Sequence, residues 1–193
     1  MRVVEPPPTA IARYTAVAVV LHWLVAAMMI VNVAFGLIAE QLPDEWIRPT
    51  IDAHKSTGIT ILGLVLLRLF WRLGHQPPPL PLEYSRWERL GAHAAHAALY
   101  VLMFALPLSG WLHDSAWKDA ATHPMTLYGT VPWPRLGFIT SIEPVAKEHL
   151  HDLFGSWHTA LGYVLYGLFT LHLAAVLKHQ LVDRERELQR MSL

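Results

Sequence analysis

Histidine is the side chain most able to do chemistry in this sequence. The chain of 193 residues contains twelve histidines and no cysteine. A chain without cysteine cannot form disulfides, thiolate zinc sites, iron–sulfur clusters or thioether-attached haem. Because neutral imidazole is the commonest protein ligand for metals, any metal-containing cofactor here must be held by histidine.

Two of these histidines, His158 and His172, are 14 residues apart. In an α-helix, which turns about 100° and rises about 1.5 Å per residue, that spacing places both side chains on one face about 21 Å apart. One helix would then present an imidazole near each of its ends. This inference requires a long helix around both residues, and the surrounding sequence predicts one.

Four apolar segments are long enough to cross a membrane. The chain is 53% hydrophobic and only 16% charged, which is too apolar for an ordinary soluble domain, and a bilayer requires about 20 apolar residues in a helix. The sequence therefore predicts an all-α integral membrane protein, a single domain of residues 1–193 forming a four-transmembrane-helix bundle. The predicted spans are residues 15–39, 54–72, 90–112 and 153–177, with residues 114–152 as an interfacial loop.

The distribution of lysine and arginine predicts the orientation, since positively charged loops remain in the cytoplasm. Ten cations lie at the end of the bundle that carries both termini, called here the inner end, and five lie at the opposite end, called here the outer end. Both termini are therefore predicted to be cytoplasmic. The inner set is Arg2, Arg13, Arg68, Arg72, Arg86, Arg89, Lys178, Arg184, Arg186 and Arg190, and the outer set is Arg48, Lys55, Lys118, Arg135 and Lys147.

Four histidines fall at two matched depths in these spans. His22 and His172 lie near the inner end, and His54 and His158 near the outer end. A histidine within a membrane helix is costly unless it has a partner, so each is a functional hypothesis. Two facing imidazoles without a nearby carboxylate suit the two axial positions of a haem iron, whereas zinc and di-iron sites use more ligands. Two haems stacked across the bilayer would form an electron path.

Other histidines are rivals or have simpler roles. His93 and His96 lie three residues apart near the inner end, on one helix face. They are alternative ligands, a polar shell for an inner haem or a quinone, or ordinary packing groups. The remaining histidines fall in loops or at membrane interfaces and are expected to face solvent or lipid headgroups: His75, His113, His123, His149, His151 and His179.

Four stretches of the sequence together resemble the helices of the bacterial cytochrome b561 family, in order and over nearly the whole chain. They are RYTAVAVVLHWL, DAHKSTGITILGLVLLRLFWRL, GAHAAHAALYVLMFALPLSGWL and WHTALGYVLYGLFTLHLAAVLKH. The resemblance implies two non-covalent haems b ligated from the first, second and fourth helices, at positions that match His22, His54, His158 and His172. It also implies electron exchange with ubiquinone, and superoxide oxidase activity as the best-known reaction of the family.

A superoxide site requires positive charge at the outer end to attract a small anion. Acidic residues outnumber cations at the outer end, so any positively charged region there must be local. Lys55 beside His54, with Arg48, is expected to steer superoxide. Further candidates to contact the haems, their propionates or a quinone are Arg13, Ser56, Arg68, His93, His96, Trp157 and Lys178.

The sequence leaves two alternative functions open. The chain could be a cytochrome b electron-transfer or anchor subunit of a partner dehydrogenase, or a histidine-lined metal-binding membrane protein without haem. The expected location is the bacterial inner membrane. The expected partners are membrane lipid, quinone, and superoxide or a redox protein; a homodimer is possible, and no nucleic acid is expected.

Overall fold

The computed structural model describes residues 12–81 and 83–193. Arg2, which the orientation count includes, lies outside these residues. The four long helices are α1 (Ala16–Ile38), α2 (Asp44–Gly74), α3 (Arg86–Ser115) and α5 (Pro144–Leu177). Shorter elements are β1 (Thr126–Leu127), β2 (Val131–Pro132), α4 (Gly137–Thr140) and α6 (Glu187–Arg190), with a 3-10 turn at Ala39–Gln41 and a π-helical turn at Lys178–Val182.

All four long helices have the length and hydropathy needed to cross a membrane. They pack in the order α1–α2, α2–α3 and α3–α5. A small core of Val25, Ile61, Val65 and Met103 joins α1, α2 and α3, while many large apolar side chains on the outside of the bundle remain exposed. This is the distribution expected when lipid covers the outer surface.

Side-chain caps fix where three of the long helices begin. The hydroxyl of Thr15 accepts a hydrogen bond from the backbone of Ala18 at the start of α1. Ser85 and Glu88 form a reciprocal capping box at the start of α3, which satisfies two backbone N–H groups that the helix leaves without partners. Glu143 caps α5, followed by proline at the first helical position.

Two helices are longer than the apolar pattern predicts. α2 begins at Asp44 and α5 at Pro144, so each extends about ten and nine residues beyond its predicted span at the outer end. Asp44 and Glu45 in the first turn of α2 interact favourably with the helix dipole, and Glu143 does the same for α5. Charged residues interrupt the apolar ones in these added turns, so a search for continuous apolar segments does not find them.

The connection between α3 and α5 is structured. It contains an antiparallel hairpin of β1 and β2 and the short helix α4, where the expectation was an interfacial loop. The hairpin turn places Tyr128 and Gly129 at positive φ. The Tyr128 backbone N–H donates to the hydroxyl of Ser56, and the Tyr128 hydroxyl lies 2.9 Å from that of Thr60, so the hairpin is attached to α2.

The two ends of the described chain meet at the inner end of the bundle. The backbone N–H of Tyr14 donates to the carbonyl of Arg190 at 3.1 Å, and the buried guanidinium of Arg190 donates to the carbonyls of Pro78 and Pro79. Trp23 in α1 donates to the carbonyl of Met191. The carboxyl-terminal segment is thus tied to α1 and to the proline-rich connection between α2 and α3.

Candidate functional site

His54 of α2 and His158 of α5 face each other near the outer end of the bundle. Their ring centroids are 5.9 Å apart and the ring planes are nearly perpendicular, at 85°. Metal–imidazole bonds of about 2 Å place two rings on opposite sides of one metal with centroids about 6 Å apart. The two imidazoles are therefore close enough that both would hold one metal-containing group between them.

Hydrogen bonds orient both rings of this outer pair. Nδ1 of His54 lies 2.8 Å from the carbonyl of Asn32, and Nδ1 of His158 lies 3.1 Å from the carbonyl of Leu106 and 3.0 Å from the hydroxyl of Ser109. Because a carbonyl can only accept, each Nδ1 carries the proton and each Nε2 keeps a free lone pair. Metal-ligating histidines use this arrangement, which fixes the tautomer and the ring direction.

Glycines make room for the same two rings. A Cβ atom on Gly36 would lie 3.1 Å from Cε1 of His54, and one on Gly110 would lie 3.2 Å from Cε1 of His158. Both distances are tighter than ordinary carbon contacts. The side-chain oxygen of Asn32 is buried without a hydrogen-bond partner in the described part of the chain, which is typical of a site that a bound group or water completes.

The outer pair fits a haem by its donor set. Two neutral imidazoles with free Nε2 lone pairs, supplied by facing helices in an apolar bundle, are donors that would suit a haem iron. His54 and His158 would hold the iron, and the carbonyls of Asn32 and Leu106 would hold the two imidazoles.

The inner end contains three candidate imidazoles. His172 of α5 has its ring centroid 5.5 Å from that of His96 on α3, at 74°. Nδ1 of His96 donates to the carbonyl of Ala92, so its Nε2 is free. His22 instead has Nδ1 2.9 Å from the guanidinium of Arg68.

The contact with Arg68 determines the tautomer of His22. A guanidinium can only donate, so Nδ1 of His22 accepts and the neutral ring carries its proton on Nε2. Ligation of iron through Nε2 therefore requires Arg68 to release this ring. By contrast, the outer pair needs no such change. The predicted pair of His22 and His172 stays a prediction, with His96 as the alternative partner that the geometry supplies.

The remaining predicted site residues lie in different settings. His93 is exposed on the outside of α3, although His96, one turn away, contacts His172. Ser56 is buried, but it bonds the backbone of Asp52 and of the hairpin. Trp157 is 52% exposed and contacts Phe154. Arg13 is exposed just before α1.

Lys178 belongs to a charged cluster at the inner end. Its ammonium group lies 2.8 Å from Glu88 and 2.8 Å from Asp183, and the hydrogen bond from Lys178 lowers the pKa of Asp183. Nδ1 of His179 also lies 2.6 Å from Asp183. In this arrangement Lys178 links the start of α3 to the end of α5.

A second cluster of charged residues lies at the outer end, beside His54. Lys55 lies 2.6 Å from Asp114, which also accepts from Arg135 at 2.8 Å. Arg48 is paired with Asp52 at 3.2 Å. The three cations approach the ring of Trp117, with the charged groups 5.0 to 6.0 Å from its centroid. We call Lys55, Asp114 and Arg135 the outer charge cluster.

One histidine pair was not expected from the sequence. His113 of α3 and His151 of α5 stack with centroids 3.8 Å apart, and each Nδ1 donates to the backbone carbonyl of the other residue. This reciprocal pair fastens the two helices just beyond His158. Both residues were expected to face solvent or headgroups. The sequence signal was that His113 directly follows the predicted span 90–112 and His151 precedes the predicted span 153–177 by two residues.

Comparisons with known proteins give matches over nearly the whole chain. The family model described as prokaryotic cytochrome b561 matches residues 13–192. A protein of Escherichia coli strain K12 named "Cytochrome b561 homolog 2" is 34% identical over 93% of this chain and 90% of its own length. A Yersinia pestis protein named "Probable superoxide oxidase CybB" is 26% identical over 93% of this chain and 95% of its own length. A third relative, "Cytochrome b561 homolog 1" of Escherichia coli strain K12, is 22% identical over 93% and 96%.

Proposed function

Because the chain belongs to the prokaryotic cytochrome b561 family of haem-binding, electron-transferring membrane proteins, we propose that it is a superoxide:ubiquinone oxidoreductase with two haems b. Two superoxide anions would each lose one electron and leave as oxygen, and one ubiquinone would take up two electrons and two protons. The name of the Yersinia pestis relative supports the choice of superoxide as donor. Superoxide would react at the outer end of the bundle. The excess of lysine and arginine at the inner end supports the proposal that both termini lie in the bacterial cytoplasm.

The arrangement of His54 and His158 carries this proposal. Their ring separation of 5.9 Å and their Nδ1 hydrogen bonds to backbone carbonyls suit a pair of imidazoles that would hold one haem iron. Bound haem iron supplies the one-electron chemistry by cycling between its ferric and ferrous states. The surrounding apolar helices exclude water, and the hydrogen-bonded imidazoles keep their direction during electron transfer.

His22 and His172 are the proposed ligands at the inner end. His172 is on the same helix as His158, so α5 supplies one ligand to each haem. Arg68 would move from Nδ1 of His22 to pair with a carboxylate of the cofactor, since guanidinium groups bind carboxylates in two-point contacts.

A small cleft of about 30 Å³ beside Arg68 is the proposed quinone site, and its side chains would have to move apart to admit a quinone ring. It is lined by aromatic and cationic side chains, including Trp71, Arg72, His75 and Tyr100, and by Met191 of the carboxyl-terminal segment. The guanidinium groups of Arg68 and Arg72 both lie 5.5 Å from the centre of the Tyr100 ring. Arginine N–H groups can donate to quinone carbonyls, and flat aromatic rings can pack against the quinone ring.

A second candidate function is supported by the charges at the outer end. Lys55 and Arg48, the proposed steering groups for superoxide, are each paired with a carboxylate. Paired cations attract an anion less strongly than free ones. This favours a partner dehydrogenase as the electron donor, with the chain acting as a cytochrome b electron-transfer subunit.

The first experiment is haem quantification with reduced-minus-oxidised spectra of protein purified in detergent. We expect two haems b per chain in the wild type, and one in His54→Ala and in His172→Ala. His93→Ala, an exposed histidine of the same bundle, is the control and should retain both. Folded wild-type protein without haem absorbance would overturn the proposal and favour the metal-binding alternative.

A second measurement separates the two electron donors. Superoxide generated enzymatically should reduce the haems of the isolated protein, and added ubiquinone should reoxidise them. Catalase is included so that peroxide does not contribute. Haems that superoxide leaves oxidised, although dithionite reduces them, would refute superoxide oxidation and favour the subunit function.

A further inference from the structure

We infer that Asp114 is a positioning residue that sets the reduction potential of the outer haem, by fixing and partly cancelling the cations beside His54. The inference rests on the proposed outer haem. It concerns a carboxylate that the proposed ligand set and the proposed steering groups do not include.

Asp114 is the centre of the outer charge cluster. Its carboxylate is only 5% exposed, and its two oxygens bond different cations, Oδ1 with Lys55 and Oδ2 with Arg135. Arg135 is itself 8% exposed and also donates to the carbonyls of Ala120 and His123. The carboxylate therefore joins α2, α3 and the connection that follows α3.

The position of Lys55 links this cluster to the proposed haem. Lys55 follows His54 directly in α2, so its backbone is fixed relative to the ligand. Its ammonium is held at 2.6 Å by Asp114, whereas its contact with Asp52 is longer, at 3.7 Å. The direction of the positive charge is thus set chiefly by Asp114.

The sign of the effect follows from counting charges. Lys55, Arg135 and Asp114 together carry a net charge of plus one, and removing the carboxylate charge leaves plus two. Added positive charge stabilises the reduced form of a nearby iron. Because these groups are poorly screened by solvent, a unit change of charge is expected to shift a one-electron equilibrium on the order of tenfold, which corresponds to about 59 mV.

The test is a spectroscopic redox titration of full-length, haem-loaded protein in detergent. Asp114→Asn should raise the midpoint potential of one haem by about 59 mV, which is a tenfold change in its reduction equilibrium. Lys55→Gln should lower the same potential. The double variant should return towards the wild-type value, since it removes one charge of each sign. Asp52→Asn is the matched control, because that carboxylate also faces Lys55 but is 48% exposed. The reduction equilibrium of the same haem should change less than threefold in this variant.

The pattern of signs separates electrostatics from structural damage. Loss of packing alone would move both single variants in the same direction and make the double variant worse. That pattern, or unchanged potentials in Asp114→Asn with both haems present, would overturn the inference. A wild type without haem would instead overturn the proposed function, so the two failures are distinguishable.

Discussion

Gly155→Ala is expected to destabilise the contact between α3 and α5. A Cβ atom at position 155 would lie 2.9 Å from Cε1 and 3.1 Å from Nδ1 of His113. The ring cannot move freely, since its Nδ1 donates to the carbonyl of His151 and its face stacks on the His151 ring. Overpacking of this kind costs about 1–3 kcal/mol, which lowers Tm by roughly 2–12 °C in a chain of this size.

The assay is thermal unfolding of the detergent-solubilised variant, followed by circular dichroism and by haem absorbance. Gly167→Ala is the matched control on the same helix, because nothing lies within 4 Å of its Cβ position; it should be neutral or stabilising by up to about 1 kcal/mol. Adding His113→Ala to Gly155→Ala should remove the steric part of the loss. A Tm for Gly155→Ala equal to that of Gly167→Ala would refute this account of the close contact.

Three further predictions test other parts of the molecule. His22→Leu should lose one haem while His96→Leu retains both; the reverse result in haem quantification would make His96 the partner of His172. Arg190→Ala should destabilise the protein by about 1–3 kcal/mol in thermal unfolding, because the Pro78 and Pro79 carbonyls lose their donor; an unchanged Tm would contradict this. Burial and the hydrogen bond to Glu187 raise the pKa of Tyr84. The contribution of Tyr84 to the free energy of unfolding is therefore complete below about pH 10 and is lost as the pH rises further. The stability difference between wild type and Tyr84→Phe should therefore narrow above about pH 10, and a difference that widens would be inconsistent with this sign.

The sequence predicts the bundle because a membrane imposes a simple pattern. Twenty apolar residues in a row identify a span, and the depth of each histidine then follows from its position in that span. The facing positions of His54 and His158 could therefore be anticipated. The first turns of α2 and α5 could not, since charged residues interrupt their apolar pattern. Acidic residues at the positive end of the helix dipole stabilise both, and the Glu143 side chain also caps α5.

Contacts between distant segments were the other part that the sequence could not supply. The bond between Arg68 and His22 joins residues 46 positions apart, and that between Arg135 and Asp114 depends on the path of the connection after α3. Nothing in hydropathy or spacing distinguishes these partners from other charged residues at the same depth. Histidine depth thus predicts which groups are able to meet, while helix rotation and loop path determine which groups do.

The two ends of the bundle differ in how their cations are balanced. At the outer end, Lys55 and Arg135 share the carboxylate of Asp114. At the inner end, Arg68 contacts the neutral groups His22 and Tyr100. Under the proposed function, Arg68 would leave His22 and pair with a carboxylate of the inner cofactor. Each end would then balance its cations with a carboxylate, which the protein supplies at the outer end and the cofactor supplies at the inner end, so loss of the inner cofactor would leave Arg68 on neutral partners.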